Sequence, residues 1–148
     1  MSARVLIDSN ILVYAYDRSE PVKQAQAVKI LDQLLITGVG ILSTQVLAEF
    51  FVAVTRKITQ PISIERAFES LNNYAASWEV LGSNNVNVLE AARGVCDHQF
   101  SYYDAQIWSV ARMNQVPVVF SEDFNPSWIE GVQFVNPFSP EFTLEDWV

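Results

Sequence analysis

Val5-Leu6-Ile7-Asp8-Ser9-Asn10-Ile11-Leu12-Val13-Tyr14 constrains the fold more than any other stretch of this chain. Three apolar residues run into an acid, and apolar residues resume three positions after it, at Ile11. A half-exposed strand would alternate in polarity. An uninterrupted apolar run this short reads as a strand buried on both faces, as in a parallel sheet. Asp8 then stands at the carboxyl end of that strand, the edge where open α/β sheets bind ligands. A carboxylate there is either a helix cap or the first member of a site.

The rest of the chain repeats the pattern. Strands are expected over residues 4–7, 39–42, 78–81, 117–120 and 132–135, with helical segments between them. Ser9 or Asn10 is expected to cap a short helix. Pro21 opens the next, with Ala25, Val28, Leu31, Leu34 and Leu35 at helical spacing before Gly38 stops it. Ser43 or Thr44 caps a third, bearing Val46, Leu47, Phe50, Val54 and Ile58. Ser63 caps a fourth through Ile64, Ala67, Phe68, Leu71 and Ala75. A fifth carries Val88, Leu89, Ala92, Val95 and Cys96, and Ser101 opens a sixth, with Tyr103, Ile107, Val110 and Ala111 inward. Residues 121–130 read as a loop or short helical turn. Alternating strands and helices predict an α/β fold, a three-layer α/β/α sandwich around a mostly parallel five-stranded sheet with right-handed crossovers. One domain is expected over residues 1–137, followed by a C-terminal tail, residues 138–148, without a legible pattern.

Composition removes several function classes. A lone cysteine, Cys96, excludes an internal disulfide and a cysteine-rich zinc site. A lone histidine, His98, argues against imidazole-based metal sites and a Ser/His/Asp triad. No signal peptide and no apolar run of about 20 residues is visible, so a cytoplasmic protein is expected. The 17 acids against 9 bases give a net charge of -8. That balance disfavours broad electrostatic binding to nucleic acid, although bound divalent cations would reverse the field locally. An acidic surface also suits a basic protein partner.

Three further acids fall near the same sheet edge or within reach of it. Glu49 lies one to two turns into the helix after the second strand, among Val46, Leu47, Phe50 and Phe51. A carboxylate in such company costs several kcal/mol unless paired or metal-bound. Asp123 follows the fourth strand. Asp104 lies in the first turn of the helix before that strand, in Ser101-Tyr102-Tyr103-Asp104, a pattern that equally suits a capping signature. It reaches the edge only if the helix around residues 88–96 returns the chain there.

Four stretches, in this order, resemble the PIN domain family of metal-dependent ribonucleases, and most closely its single-domain VapC-type toxins. They are the opening decapeptide, Leu42-Ser43-Thr44-Gln45-Val46-Leu47-Ala48-Glu49-Phe50, Ser101-Tyr102-Tyr103-Asp104-Ala105-Gln106-Ile107 and Val119-Phe120-Ser121-Glu122-Asp123-Phe124. The resemblance implies that Asp8, Glu49, Asp104 and Asp123 are the catalytic acids and hold Mg²⁺ or Mn²⁺, with Asp8, Asp104 and Asp123 on one ion and Glu49 either completing that set or holding a second. It assigns supporting roles to Asn10 and Ser121, with Glu122 as a lesser alternative to Asp123. It further implies an RNA substrate cut to a 3′-hydroxyl and a 5′-phosphate, a homodimer, and a cognate antitoxin protein. The chemistry agrees. Phosphodiester hydrolysis needs an activated water and shielded phosphate oxygens, and hard cations that provide both prefer carboxylate ligands. Arg56 and Arg112, two turns beyond Glu49 and Asp104, are candidate phosphate contacts, and Tyr14, Tyr102 and Tyr103 candidate base-stacking residues.

Two other families begin with an apolar strand and an acid. A haloacid-dehalogenase-type phosphatase needs a second acid where Asn10 stands. A receiver domain needs a late lysine, and none follows Lys57. A PIN-like module that binds RNA or protein without cutting, and a stand-alone ribonuclease without an antitoxin, are the remaining alternatives.

Overall fold

The computed structural model describes residues 3–148. Its core is a six-stranded sheet: β1 (Val5–Ile7), β2 (Gly40–Ser43), β3 (Glu79–Leu81), β4 (Val118–Phe120), β5 (Ser127–Ile129) and β6 (Val132–Val135), in the order β3-β2-β1-β4-β6-β5. All neighbours are parallel except β5 and β6. β1 is wholly buried between β2 and β4, which accounts for its unbroken apolar run.

The expected five strands become six. Residues 127–129 form a hairpin strand on β6, with Glu130 and Gly131 in the turn, both at positive φ. A three-residue edge strand with Trp128 outward has too few positions to show alternation.

Six helices cover the sheet: α1 (Ser9–Tyr14), α2 (Pro21–Thr37), α3 (Thr44–Val52), α4 (Ile64–Ser77), α5 (Asn85–His98) and α6 (Tyr102–Met113). α1 packs on α2 and α3, and α3 on α4. α5 packs on α6, which rests on β4 and β6. The crossover from β3 to β4 runs back past β2 and β1, so right-handed connections put these two groups on opposite faces. Ser43, Ser63 and Ser101 cap α3, α4 and α6 as expected, each accepting a backbone N–H three residues on. α3 ends in a π turn, Ala53–Lys57, closed by the Ile58 N–H on the Ala53 carbonyl at 3.1 Å.

Two apolar stripes face outward, contrary to expectation. On α2 the buried positions are Ala27, Ile30, Leu31 and Leu34, leaving Val28 and Leu35 at the surface. On α5 the inward residues are Asn87, Ala91 and Gly94. Val88, Leu89, Ala92, Val95 and Cys96 are exposed. The cause is the close contact with α6: a Cβ on Gly94 would lie 2.8 Å from the Trp108 ring, so small residues must face inward there. Phe68 of α4 and Tyr103 of α6 are likewise exposed.

α5 and α6 run antiparallel. Asn87, early in α5, hydrogen-bonds Met113 at the end of α6, and His98 at the end of α5 meets Trp108. α5 therefore returns the chain to the edge where β1 and β4 end, and α6 starts there. Residues 138–148 cover the core. Phe142 and Trp147 pack edge-on against Phe120, and Leu144 is buried in a 3-10 turn, Leu144–Asp146.

Candidate metal centre at the sheet edge

Asp8 both caps a helix and heads the site. It is the N-cap of α1, one residue before the expected cap, with the Ser9 N–H donating to Oδ1 at 2.7 Å. Its other oxygen, Oδ2, accepts from the Ser121 hydroxyl at 2.7 Å. Ser121 is fully buried at the end of β4, where pairing of Ile7 with Phe120 brings it beside Asp8. Its oxygen in turn accepts from the Asp123 N–H at 3.2 Å and the Asn10 amide at 3.3 Å. Asn10 also donates to Asp123 Oδ2 at 3.2 Å and accepts from the Glu122 N–H at 3.4 Å. Asn10 and Ser121 thus tie the carboxylates of Asp8 and Asp123 into one network.

Asp104 and Glu49 face this network from two other helices. The Asp104 N–H is spent on the Ser101 cap at 3.3 Å, and its carboxylate takes no part in a reciprocal capping box. Instead its charge is felt by Asp8 and Glu49. Burial, followed by the charges of Asp123 and Asp104, pushes the Asp8 carboxyl up to about 6, against the opposing bonds from Ser121 and Ser9. Burial, then Asp8 and Asp104, pushes Glu49 up to about 7, with Lys57 acting the other way. Glu49 Oε1 is buried and has no hydrogen-bond partner, nor does Oε1 of Gln45, one turn earlier on α3. Carboxylates that raise one another's pKa and leave a buried oxygen unpartnered are a donor set suited to a cation.

Among the described residues, no group of three or more acid, imidazole or thiol side chains lies close enough together to hold a metal ion by itself. Mg²⁺ does not require such a group. It keeps several waters and is usually held by one or two carboxylates together with substrate phosphate. The all-carboxylate set therefore fits a hydrated hard cation.

Of the three other candidates, two are engaged in ion pairs and the third is exposed. Glu122 turns from Asp123 to accept the Tyr14 hydroxyl at 2.6 Å and the Lys23 ammonium at 2.8 Å. Arg112 is held by Glu90 and Glu130 in a surface network with Arg93. Through that network Arg112 ties α6 to α5 and to Glu130 in the β5–β6 turn, so it is engaged as an ion-pair partner between elements. Arg56 is exposed and unpaired, but its neighbour Lys57 is the cation that acts on Glu49. Sequence spacing counted two α-helical turns from Glu49. The π turn inserts an extra residue and shifts that register, which a regular 3.6-residue count cannot anticipate.

Residues 5–128 match the PIN domain family. No curated sequence matches the chain. The sarcin-ricin-loop-cleaving toxin VapC20 of Mycobacterium tuberculosis is similar in structure, with a TM-score of 0.63, 16% identity, and coverage of 87% of this chain and 98% of that one. A toxin–antitoxin complex from Klebsiella pneumoniae gives 0.64 at 17% identity, covering 90% and 98%. DNA-bound VapBC from Salmonella typhimurium gives 0.63 at 13%, covering 91% and 98%. At these identities the likeness is one of fold. The family assignment rests on the match over residues 5–128, and by it this chain belongs to the PIN domain family.

Proposed function

We propose that this protein is a Mg²⁺- or Mn²⁺-dependent endoribonuclease and the toxin of a toxin–antitoxin pair. The observation that carries the reading is the joint network of Asp8, Asn10, Ser121 and Asp123 at the carboxyl ends of β1 and β4, facing Asp104 and the unpartnered Glu49 oxygen. Asp8, Asp104 and Asp123 would hold the cation, in part through its own waters, and Glu49 would complete its set or hold a second. When bound, a divalent cation supplies a more acidic water and neutralises charge on the phosphodiester. The chain's own residues supply orientation. Ser121 and the α1 N-terminus hold the two Asp8 oxygens, Asn10 holds Asp123, and Glu49 Oε1 accepts a hydrogen bond from the attacking water.

The neighbours solved as toxin–antitoxin complexes support an antitoxin partner, and a cytoplasmic setting belongs to the same proposal. Among the described residues no helix is long and apolar enough to cross a membrane. The outward stripe of Val88, Leu89, Ala92 and Val95 on α5 supports a homodimer, because a second copy would remove that apolar surface from water.

Calorimetric titration with Mn²⁺ and cleavage of total RNA, each for the wild type and Asp8→Asn, test the reading. Stoichiometric Mn²⁺ binding and metal-dependent cleavage are expected from the wild type, and neither from the variant. RNA binding without turnover would assign the chain to the non-catalytic alternative.

A further inference from the structure

Positive charge is distributed unevenly over this acidic molecule. Five of its nine lysines and arginines are ion-paired: Arg4, Lys23, Lys29, Arg93 and Arg112. The other four are Arg18, Arg56, Lys57 and Arg66. All four are exposed and none lies within ion-pair distance of a carboxylate among the described residues. Three of them line two cavities on one side of the acid cluster.

The first cavity, about 370 Å³, opens at Ser9 and Asn10 and has Lys57 in its wall. The second, about 430 Å³, is lined by Arg18, Arg66, Gln24, Gln60 and Ser63. Their walls are continuous along the chain. On one wall Tyr14 of the first is followed in sequence by Ala15 and Tyr16 of the second. On the other, Thr59 is followed by Gln60 and Pro61. Together they make a trough that starts beside Asn10, whose amide bonds Asp123, and runs between α1 and the segment joining the π turn to α4. No carboxylate lines the second cavity, although the chain has a net charge of -8. Asp17, the one acid in the first, accepts both the N–H and the hydroxyl of Ser19.

A strand cut at the acid cluster continues beyond the scissile bond, and its next phosphates must lie on protein. Over most of this surface they would meet like charge. In the trough they meet three cations outside any ion pair among the described residues, and amide and hydroxyl groups that bond phosphate and sugar. We propose that the trough is a subsite for single-stranded RNA flanking the cleaved bond, with Lys57 contacting the nearer phosphate and Arg18 and Arg66 the more distant ones. This rests on the ribonuclease reading above.

The test is Arg18→Gln combined with Arg66→Gln. Both side chains are exposed and without ion-pair partners, so the melting temperature should not move. Binding of a labelled, random-sequence single-stranded RNA is followed by anisotropy over a range of KCl concentrations, with Ca²⁺ present to slow turnover. Loss of two phosphate contacts should flatten the plot of log affinity against log salt by about 1.4. In Mn²⁺ the variant's KM should rise several-fold while kcat and Mn²⁺ affinity stay at wild-type values. An unchanged salt slope and KM would overturn the subsite while leaving the ribonuclease intact. A trough protected by a bound protein partner, with RNA binding unchanged in the variant, would also overturn it. Absence of Mn²⁺ binding and of cleavage by the wild type would instead remove the ribonuclease reading, and the subsite with it.

Discussion

The metal-free protein should lose stability as pH rises toward neutrality, and Asp8 should account for much of the loss. Asp8 is 4% exposed, so solvent screens it little. Its carboxyl goes from 3.8 to about 6 on folding. An acid with a raised pKa holds its proton more tightly in the folded state than in the unfolded one. Its neutral form fits the fold, so the stabilisation is complete below pH 3.8 and is lost as pH climbs through about 6. The difference corresponds to about 3 kcal/mol. For a chain of this size that is about 6–12 °C in melting temperature. Asp8→Asn isolates the effect, because asparagine keeps an oxygen for the Ser9 N–H and cannot ionise. Melting of both proteins is measured in EDTA from pH 4 to pH 8. The variant should gain on the wild type by about 3 kcal/mol across that range. The Asp8 charge also helps to raise Glu49, and its removal adds to the gain in the same direction. Mn²⁺ at pH 8 should restore the wild type and leave the variant unmoved. A difference that stays flat with pH, or one that shrinks, would refute the account of a buried, self-repelling acid cluster.

Ser121→Ala removes the donor to Asp8 Oδ2 and the link to Asn10. Mn²⁺ affinity measured by calorimetry should fall by about 10–100-fold, the usual range for groups that orient ligands, without loss of the fold. Arg112→Gln breaks surface ion pairs with Glu90 and Glu130. Denaturant titration should show a loss of about 1 kcal/mol or less, and RNA cleavage should be unchanged. Gly94→Ala drives a methyl against Trp108 and Phe100, at 2.8 and 3.2 Å. It should cost about 1–3 kcal/mol, seen as a lower melting temperature with a red-shifted tryptophan emission.

The parts of the fold that the sequence exposes are those governed by local physics. Buried strands show as apolar runs, and serine caps mark helix starts because only short polar side chains reach the orphan N–H groups. Position alone leaves each of the four acids readable as a cap or a surface acid, and they form a set only through the likeness of four stretches to the PIN family. Their supporting bonds are not legible in the sequence at all. Whether Ser121 meets Asp8 depends on β1 pairing with β4 in one register, which no local pattern encodes. The helix faces of α2 and α5 were misjudged for a related reason. Periodicity finds an apolar stripe, but the tight α5–α6 contact selects the smallest face, not the most apolar one. The roles of Arg56 and Arg112 required the π turn and the Glu90 and Glu130 partners, neither of which spacing reveals.

The central position of β1 also sets a schedule. Asp8 and Ser121 are 113 positions apart in the chain yet hydrogen-bonded, and Asp123 lies farther still. As the polypeptide leaves the ribosome, β1 can pair first only with β2, and its other edge waits for β4. Until β4 docks, Asp8 has no hydroxyl partner and no second carboxylate from beyond that strand. Contacts of such sequence separation form late, because the intervening chain must be closed into a loop first. The acid cluster is therefore completed only when nearly all of the protein has been made. An unfinished copy carries Asp8 and Glu49 but lacks the acids that β4 brings to the sheet edge.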